Sequence, residues 1–348
     1  MATAPAPYLA NEPVLEVEKL SVEIDGPAGR LRAVTEVDLH VGRGETLCIV
    51  GESGCGKTMT ALGIMGLLPR RARLRAQRLA LEGRDLLAMG RRERATLRGD
   101  RMAMIFQDPM TSLNPVYTVG NQMEEIFLRH GKGTRKEARE RAEYLLQKVG
   151  ISAARGRLGQ YPHQLSGGLR QRVMIAMSLM CDPILMIADE PTTALDVTIQ
   201  AQILHLLADL QEEYRMALVL ITHDLGIVAR MADRVIVMYA GQVVETGTAE
   251  QVFSAPMHPY TRGLLDCIPI PGKTVRGAKL GSIPGMVPSL IGPLDGCAFR
   301  NRCPEAFADC AAAPVPLRAL GPNRACRCLL EEAATVAPRG QQPVGASR

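Results

Sequence analysis

Gly51-Glu-Ser-Gly-Cys-Gly-Lys57-Thr58 follows an apolar run, Thr46-Leu-Cys-Ile-Val50, and opens another that continues from Thr58 to Leu68. A strand that runs into a glycine-rich loop and then a helix is built to hold phosphate. Gly51, Gly54 and Gly56 let the backbone curl with its N–H groups inward, so several donors and a helix N-terminus converge on one anion. Glu52, Ser53 and Cys55 complete the loop. Lys57 is then placed to reach the β- and γ-phosphates of a nucleotide, and Thr58 to ligate Mg2+. Cys55 has two readings. A thiol beside a helix N-terminus has a lowered pKa and is reactive; alternatively it is an inert small side chain whose backbone N–H alone matters.

Upstream of the loop, Leu15 to Val17, Leu20 to Ile24 and Ala33 to Val41 are short apolar or alternating runs separated by Gly-Pro and Gly-Arg-Gly, as strands and turns are. Downstream, after an arginine-rich stretch, an apolar strand from Met102 to Phe106 ends in Gln107-Asp-Pro. The pattern then turns helical: Gly120 to Arg129, Lys136 to Val149 and Leu169 to Leu179 place apolar residues three and four apart. Strands resume at Ile184 to Ala188, a helix spans Val197 to Tyr214, and strands return at Ala217 to Thr222 and Arg234 to Tyr239. Buried strands alternating with helices predict an α/β fold with a doubly wound, mostly parallel sheet, interrupted by a helical insertion. Ligands of such sheets sit at the carboxyl ends of the strands.

The composition agrees, with 348 residues, 47% of them hydrophobic and 22% charged, as in an ordinary globular protein of about two domains. No run approaches the roughly 18 uncharged apolar residues of a membrane span; Val173 to Ala188 is broken by Asp182-Pro183. Met1 to Pro13 lacks the basic start and apolar core of a signal peptide, which leads to the expectation of a cytoplasmic protein. Arginines crowd between Arg70 and Arg101, as a solvated face or as a surface for anionic lipid or an acidic partner. Nucleic acid is not expected. There is no tryptophan, and the few aromatics are not interleaved with the basic stretch.

Asp189-Glu190 directly follows the run Ile184 to Ala188. An acidic pair at that strand end can divide two tasks: Asp189 holds magnesium, and Glu190 orients and deprotonates the water that attacks the γ-phosphate. Gln107 and His223 also follow apolar strands, where a glutamine bridges Mg2+ and water and a histidine contacts the γ-phosphate. Leu165-Ser-Gly-Gly-Leu-Arg-Gln171 precedes a helix and makes Ser166, Gly167 and Gly168 a second anion site. Lying in the helical insertion, it would serve the nucleotide of a second, head-to-tail subunit. Cysteines cluster near the end, at Cys297, Cys303, Cys310, Cys326 and Cys328. In a chain expected to be cytosolic, this suggests metal ligation before disulfides.

The ordered set of phosphate loop, Gln107, Leu-Ser-Gly-Gly, Ile-Ala-Asp-Glu-Pro-Thr, Ala194-Leu-Asp196 and His223 resembles the ATP-binding subunit of an ABC transporter, over about Val14 to Gly247. Asp108-Pro-Met-Thr-Ser-Leu-Asn-Pro115, Thr192 to Gln200 and His258-Pro-Tyr-Thr261 narrow it to the dipeptide and oligopeptide importers, and the cysteines extend the similarity to about Cys328. The resemblance implies a P-loop ATPase with an antiparallel β subdomain, a helical subdomain at about 108–180 and a small cysteine-containing extension. It divides the chain into a disordered 1–13, an ATP-binding domain 14–250, an importer-type domain 251–330 and a disordered tail 331–348.

For the site, the resemblance implies ATP and Mg2+ on Gly51 to Thr58, Gln107 and Asp189, with Glu190 as general base and His223 supporting the transition state. Ser166 to Gly168 would clasp the partner's γ-phosphate, and Asp196 would communicate across the dimer. Ile24 stands in the region where the family places an aromatic on adenine, a loss that phosphate contacts would offset. A [4Fe-4S] cluster on Cys297, Cys303, Cys310 and Cys326 is implied, with zinc as the alternative metal and Cys328 as the alternative fourth ligand. The implied partners are a second ATPase subunit, a related chain rather than a copy, two transmembrane permease subunits and, indirectly, a substrate-binding protein. The implied place is the cytoplasmic face of the membrane, and the cargo a peptide, with nickel, glutathione or antimicrobial peptides open.

Overall fold

The computed structural model describes residues 13–27, 29–108, 112–193, 195–267, 282–292 and 294–330. The expected disordered ends, most of the connector from Ile268 to Pro293, residues 109–111 and Ala194 lie outside the described residues.

Strands β1 (Leu15–Gly26) and β2 (Gly29–Val41) form a hairpin, and β3 (Thr46–Val50) leads into helix α1 (Lys57–Met65). β4 (Ala72–Arg75) and β5 (Arg78–Leu81) pair antiparallel with β1, and β6 (Arg84–Asp85) with β5. The two runs expected as separate strands before Ile24 are one strand. Its register against β2 slips between Val17 and Leu20, where Lys19 takes a left-handed φ of 52°.

Helix α2 (Arg91–Leu97) precedes β7 (Met102–Ile105); the helical insertion then supplies α3 (Val119–Arg129), α4 (Arg135–Lys148) and α5 (Gly167–Ser178). After β8 (Leu185–Asp189) come α6 (Val197–Tyr214), β9 (Ala217–Ile221), α7 (Leu225–Met231), β10 (Arg234–Tyr239) and β11 (Gln242–Thr248). The chain continues through α8 (Ala249–Ser254) and α9 (Pro259–Asp266) to the short strands β12 (Arg318–Gly321) and β13 (Arg324–Cys326).

The main sheet has the order β12-β13-β11-β10-β3-β9-β8-β7. Its five strands from β10 to β7 are parallel, and β11, β13 and β12 extend it antiparallel. The parallel strands read as continuous apolar runs because both faces are covered. In β3, Leu47 and Ile49 join a core beneath the antiparallel sheet and α1, while Cys48 and Val50 join a core shared with the helical insertion. β8 and β9 divide by the same alternation. Each fully buried leucine or isoleucine on either side contributes about 1.5–3 kcal/mol.

The insertion is tied down by local signals. Thr134 and Glu137 form a capping box at the start of α4, and the buried Glu124 of α3 accepts from Arg135 at 2.9 Å and Arg139 at 3.2 Å. Several arginines of the Arg70–Arg101 stretch face carboxylates of their own surface: Arg73 meets Asp25, Arg78 meets Glu16 and Arg101 meets Glu82. Such exposed pairs contribute little stability, and they fit a solvated face. No described helix is long and apolar enough to cross a membrane.

Candidate active site

Strand β3, with every residue buried, ends at Val50 and passes directly into Gly51. A Cβ there would lie 2.2 Å from the Met238 carbonyl oxygen, and one at Gly56 (φ 103°) 2.4 Å from that of Ala33. Both positions demand glycine, because backbone on neighbouring strands occupies the space a side chain needs. The loop closes on itself. The Lys57 ammonium, 5% exposed, donates to the carbonyls of Gly51 at 2.7 Å and Glu52 at 3.1 Å, which holds it across the loop mouth.

The thiol of Cys55 is buried beneath the loop, 3.9 Å from the Lys57 nitrogen. Burial raises its pKa; Lys57 and two backbone N–H groups pull the other way and are outweighed. Of the two readings of this residue, the inert side chain is the one the structure supports.

Three further strand ends meet the loop. Asp189, the last residue of β8, is buried and accepts from the Thr58 hydroxyl at 3.2 Å. Its pKa is raised by desolvation first, against the Thr58 hydrogen bond, with Glu190 raising it further and Lys57 lowering it. Two hard oxygen donors side by side at the loop's edge suit Mg2+.

Glu190 turns away from β8 in a left-handed conformation, φ 45°. Its Oε2 accepts from Gln107 Nε2 at 2.8 Å and from the Thr193 hydroxyl at 3.0 Å, and its Oε1 lies 3.6 Å from Nδ1 of His223. Gln107 comes from beyond β7 and His223 from beyond β9, the two strands flanking β8. The structure thus gathers the loop, Thr58, Asp189, Glu190, Gln107 and His223 at one sheet edge. Thr193 was not singled out from sequence. It lies within the quoted Thr192 to Gln200 stretch, but nothing in residue type alone marks a threonine as a carboxylate's partner.

Ser166, Gly167, Gly168 and Asp196 form a separate group. Ser166 caps α5 by accepting from Leu169 N at 3.4 Å, and Asp196 caps α6 by accepting from Ile199 N at 3.0 Å. The two caps adjoin, since a Cβ on Gly168 would sit 3.1 Å from Ile199 Cγ2. Among the described residues no hydrogen bond joins them to the phosphate loop, and Val197 beside them is 82% exposed. A groove of about 640 Å3 opens elsewhere beside Phe106, its lining including Leu113, Tyr117 and Met174 together with Arg98 and Glu125.

The C-terminal extension packs on the opposite end of the sheet through β11 and β13. Cys297, Cys303, Cys310 and Cys328 line one enclosed void of about 10 Å3 together with His258 and Phe299. Cys326, expected as the fourth member, is elsewhere: it pairs with Glu245 of β11 and is buried in the sheet. As free thiols, Cys297, Cys303 and Cys328 are all raised by burial, Cys303 to about 11. Among the described residues no three His, Cys, Asp or Glu side chains are arranged to hold a metal ion.

Comparison with known proteins follows the same division. A family model described as ABC transporter matches residues 34–193, and one described as oligopeptide/dipeptide transporter, C-terminal region, matches 244–310. The chain is 50% identical over 315 residues to the dipeptide transport ATP-binding protein DppD of Escherichia coli (strain K12), covering 90% of this chain and 96% of that one. It is 48% identical over 320 residues to the oligopeptide transport ATP-binding protein AppD of Bacillus subtilis (strain 168), covering 92% and 97%. Among solved structures, the dimeric, post-hydrolysis ATP-binding cassette MJ0796 bound to ADP and Pi superposes with a TM-score of 0.60 at 26% identity, covering 68% of this chain and 98% of that one. CbiO1 of Clostridium perfringens, part of the ABC transporter complex cbiONQ, gives 0.59 at 28% identity, covering 70% and 91%.

Proposed function

The chain belongs to the ABC transporter ATPases of the dipeptide and oligopeptide import group, and we propose that its hydrolysis of ATP drives peptide uptake through the chemistry of one held carboxylate. The observation that carries this is Glu190. One of its oxygens is fixed by Gln107 and Thr193 and the other faces His223, one residue beyond the Asp189 that bonds Thr58. A carboxylate so fixed can take the proton of a water attacking the γ-phosphate without reorganising in the transition state.

In this reading the loop 51–58 binds the triphosphate through N–H groups other than that of Glu52, which the Tyr260 hydroxyl holds, and Lys57 exchanges its two carbonyl partners for phosphate oxygens. Thr58, Asp189 and Gln107 would hold Mg2+, which when bound would neutralise charge on the phosphates. His223 supports the transferring phosphoryl group. The test is Glu190→Gln, which keeps the shape and removes the base. ATP binding should persist while hydrolysis slows by at least about a hundredfold; near-normal turnover would sink the assignment.

The partners follow from what the site leaves unused. Ser166 and Asp196 cap adjoining helices and share no hydrogen bond with the chain's own phosphate loop among the described residues, which supports a second ATPase subunit whose nucleotide they would complete with Gly167 and Gly168. The groove beside Phe106, lined by apolar and charged side chains, supports a segment of a membrane permease as its occupant, and with it a position at the inner face of the membrane. Binding and release of nucleotide would then open and close the pair and drive alternating access.

The extension, about 251–330, we assign a metal. Four thiols round one void are the donor set of a [4Fe-4S] cluster, which spreads its ligands over four irons and so asks for wider spacing than one zinc ion. The void has room for about one water, so loading requires its walls to part and the thiols to lose their protons. The ligand set is Cys297, Cys303, Cys310 and Cys328.

A further inference from the structure

Glu52, the second residue of the phosphate loop, is gripped by the C-terminal extension. Arg302 reaches its carboxylate with two bonds, 2.6 Å and 2.9 Å, across 250 positions of sequence. The arginine's remaining donors go to the carbonyls of Pro284 and Ile283, both at 3.0 Å, and to the Tyr239 hydroxyl at 3.4 Å, so all five of its N–H groups have partners. Its side chain is 4% exposed and lies against the rings of Tyr239 and Phe299, at 5.7 Å and 6.0 Å. A guanidinium so fully used holds one geometry. A second grip is independent of it: the Glu52 N–H donates to the Tyr260 hydroxyl at 2.9 Å, from the start of α9. With the Glu52 carbonyl accepting from Lys57 at 3.1 Å, the residue is held at its N–H, its carbonyl and its side chain.

We propose that Arg302 and Tyr260 are positioning residues for nucleotide binding, through which the C-terminal extension sets the affinity of the phosphate loop for ATP. Two effects act in the same direction. Pinning Glu52 fixes the loop before the ligand arrives, which removes an ordering cost from binding. Pairing its carboxylate cancels a negative charge in a loop that must accept a polyanion, and in a half-buried site that repulsion is poorly screened. Cys303, the next residue along from Arg302, lines the cysteine void, so the extension's own site adjoins this grip.

The proposal rests on the loop being the ATP site, and the test separates the two. Binding of Mg-ATP to the full chain is measured for wild type, Arg302→Gln, the double variant Arg302→Gln/Glu52→Gln, and Tyr260→Phe. Arg302→Gln should weaken binding by at least about tenfold, the loss expected for bonds to a charged group. The double variant should recover at least about threefold of that loss, because the unpaired carboxylate is gone; a purely structural role for Arg302 gives no such rescue. Tyr260→Phe, which keeps the ring in its core, should weaken binding by at least about threefold and stands in if Arg302→Gln does not fold. Wild-type affinity in Arg302→Gln or Tyr260→Phe, or a double variant no tighter than Arg302→Gln, overturns the proposal. A wild-type chain that does not bind Mg-ATP overturns the ATP-site reading, and the proposal with it.

Discussion

Cys55 sits where two opposing effects can be compared on one atom. The helix N-terminus and the Lys57 ammonium favour a thiolate, and burial favours the thiol; with the side chain 1% exposed, burial wins and the pKa rises. At neutral pH the sulfur is therefore a protonated, enclosed group rather than a nucleophile. Maleimide or iodoacetamide should leave Cys55 of the native protein unmodified in peptide mass spectra, with and without Mg-ATP, and should label it after denaturation. Fast native labelling that Mg-ATP blocks would restore the reactive-thiol reading. Glu190 poses the complementary case. Its left-handed backbone costs of order 1–3 kcal/mol, and it is held in place by the bonds from Gln107 and Thr193, so the strain lies at the residue assigned the chemistry.

The strands explain which parts of the site could be read in the chain and which could not. Gln107, Asp189, Glu190 and His223 were legible because each closely follows an apolar run, and a parallel sheet delivers all such ends to one edge. Helices of the insertion came within about two residues for the same reason, since periodicity is local. Contacts made by the path of the chain were not legible. Arg302 lies 250 positions from Glu52, in a segment with little regular structure, and no local pattern aims it there. Which cysteine joins Cys297, Cys303 and Cys310 around the void was not legible either. Cys326 ends β13 and is committed to the sheet beside Glu245, whereas Cys328 lies just past the strand, where alternation no longer fixes direction and the chain turns toward the void. Protein purified without oxygen should accordingly contain iron and sulfide in equal amounts, and Cys328→Ser should lose both. Cys326→Ser should keep them. The reverse pattern would return Cys326 to the ligand set; stoichiometric zinc in place of iron would keep the thiol cage and replace the cluster.

At the scale of the whole molecule, the proposed function gives the two groups, the loop 51–58 and the helix caps at Ser166 and Asp196, to different nucleotides. The loop 51–58 opens at the sheet edge, where its lysine bonds the Gly51 carbonyl and its threonine bonds Asp189. Ser166 and Asp196 cap adjacent helices on the insertion's side, next to the exposed Val197 and a second apolar groove of about 330 Å3 that includes Leu204, His205 and Ile227. In the proposed head-to-tail pair, one subunit's serine would meet the other's γ-phosphate, closing two sites in a single interface. The consequence separates binding from turnover. Ser166→Arg puts a bulky side chain at the proposed subunit interface and removes the hydroxyl, at a position with no hydrogen bond to the chain's own phosphate loop. Mg-ATP should therefore bind the isolated Ser166→Arg chain as it binds wild type, while ATP hydrolysis by the assembled transporter falls on the order of a hundredfold, the loss typical of a missing transition-state donor. If the isolated variant also fails to bind Mg-ATP, Ser166 belongs to its own subunit's site; if the assembled transporter turns over normally, the serine does not meet a nucleotide at all.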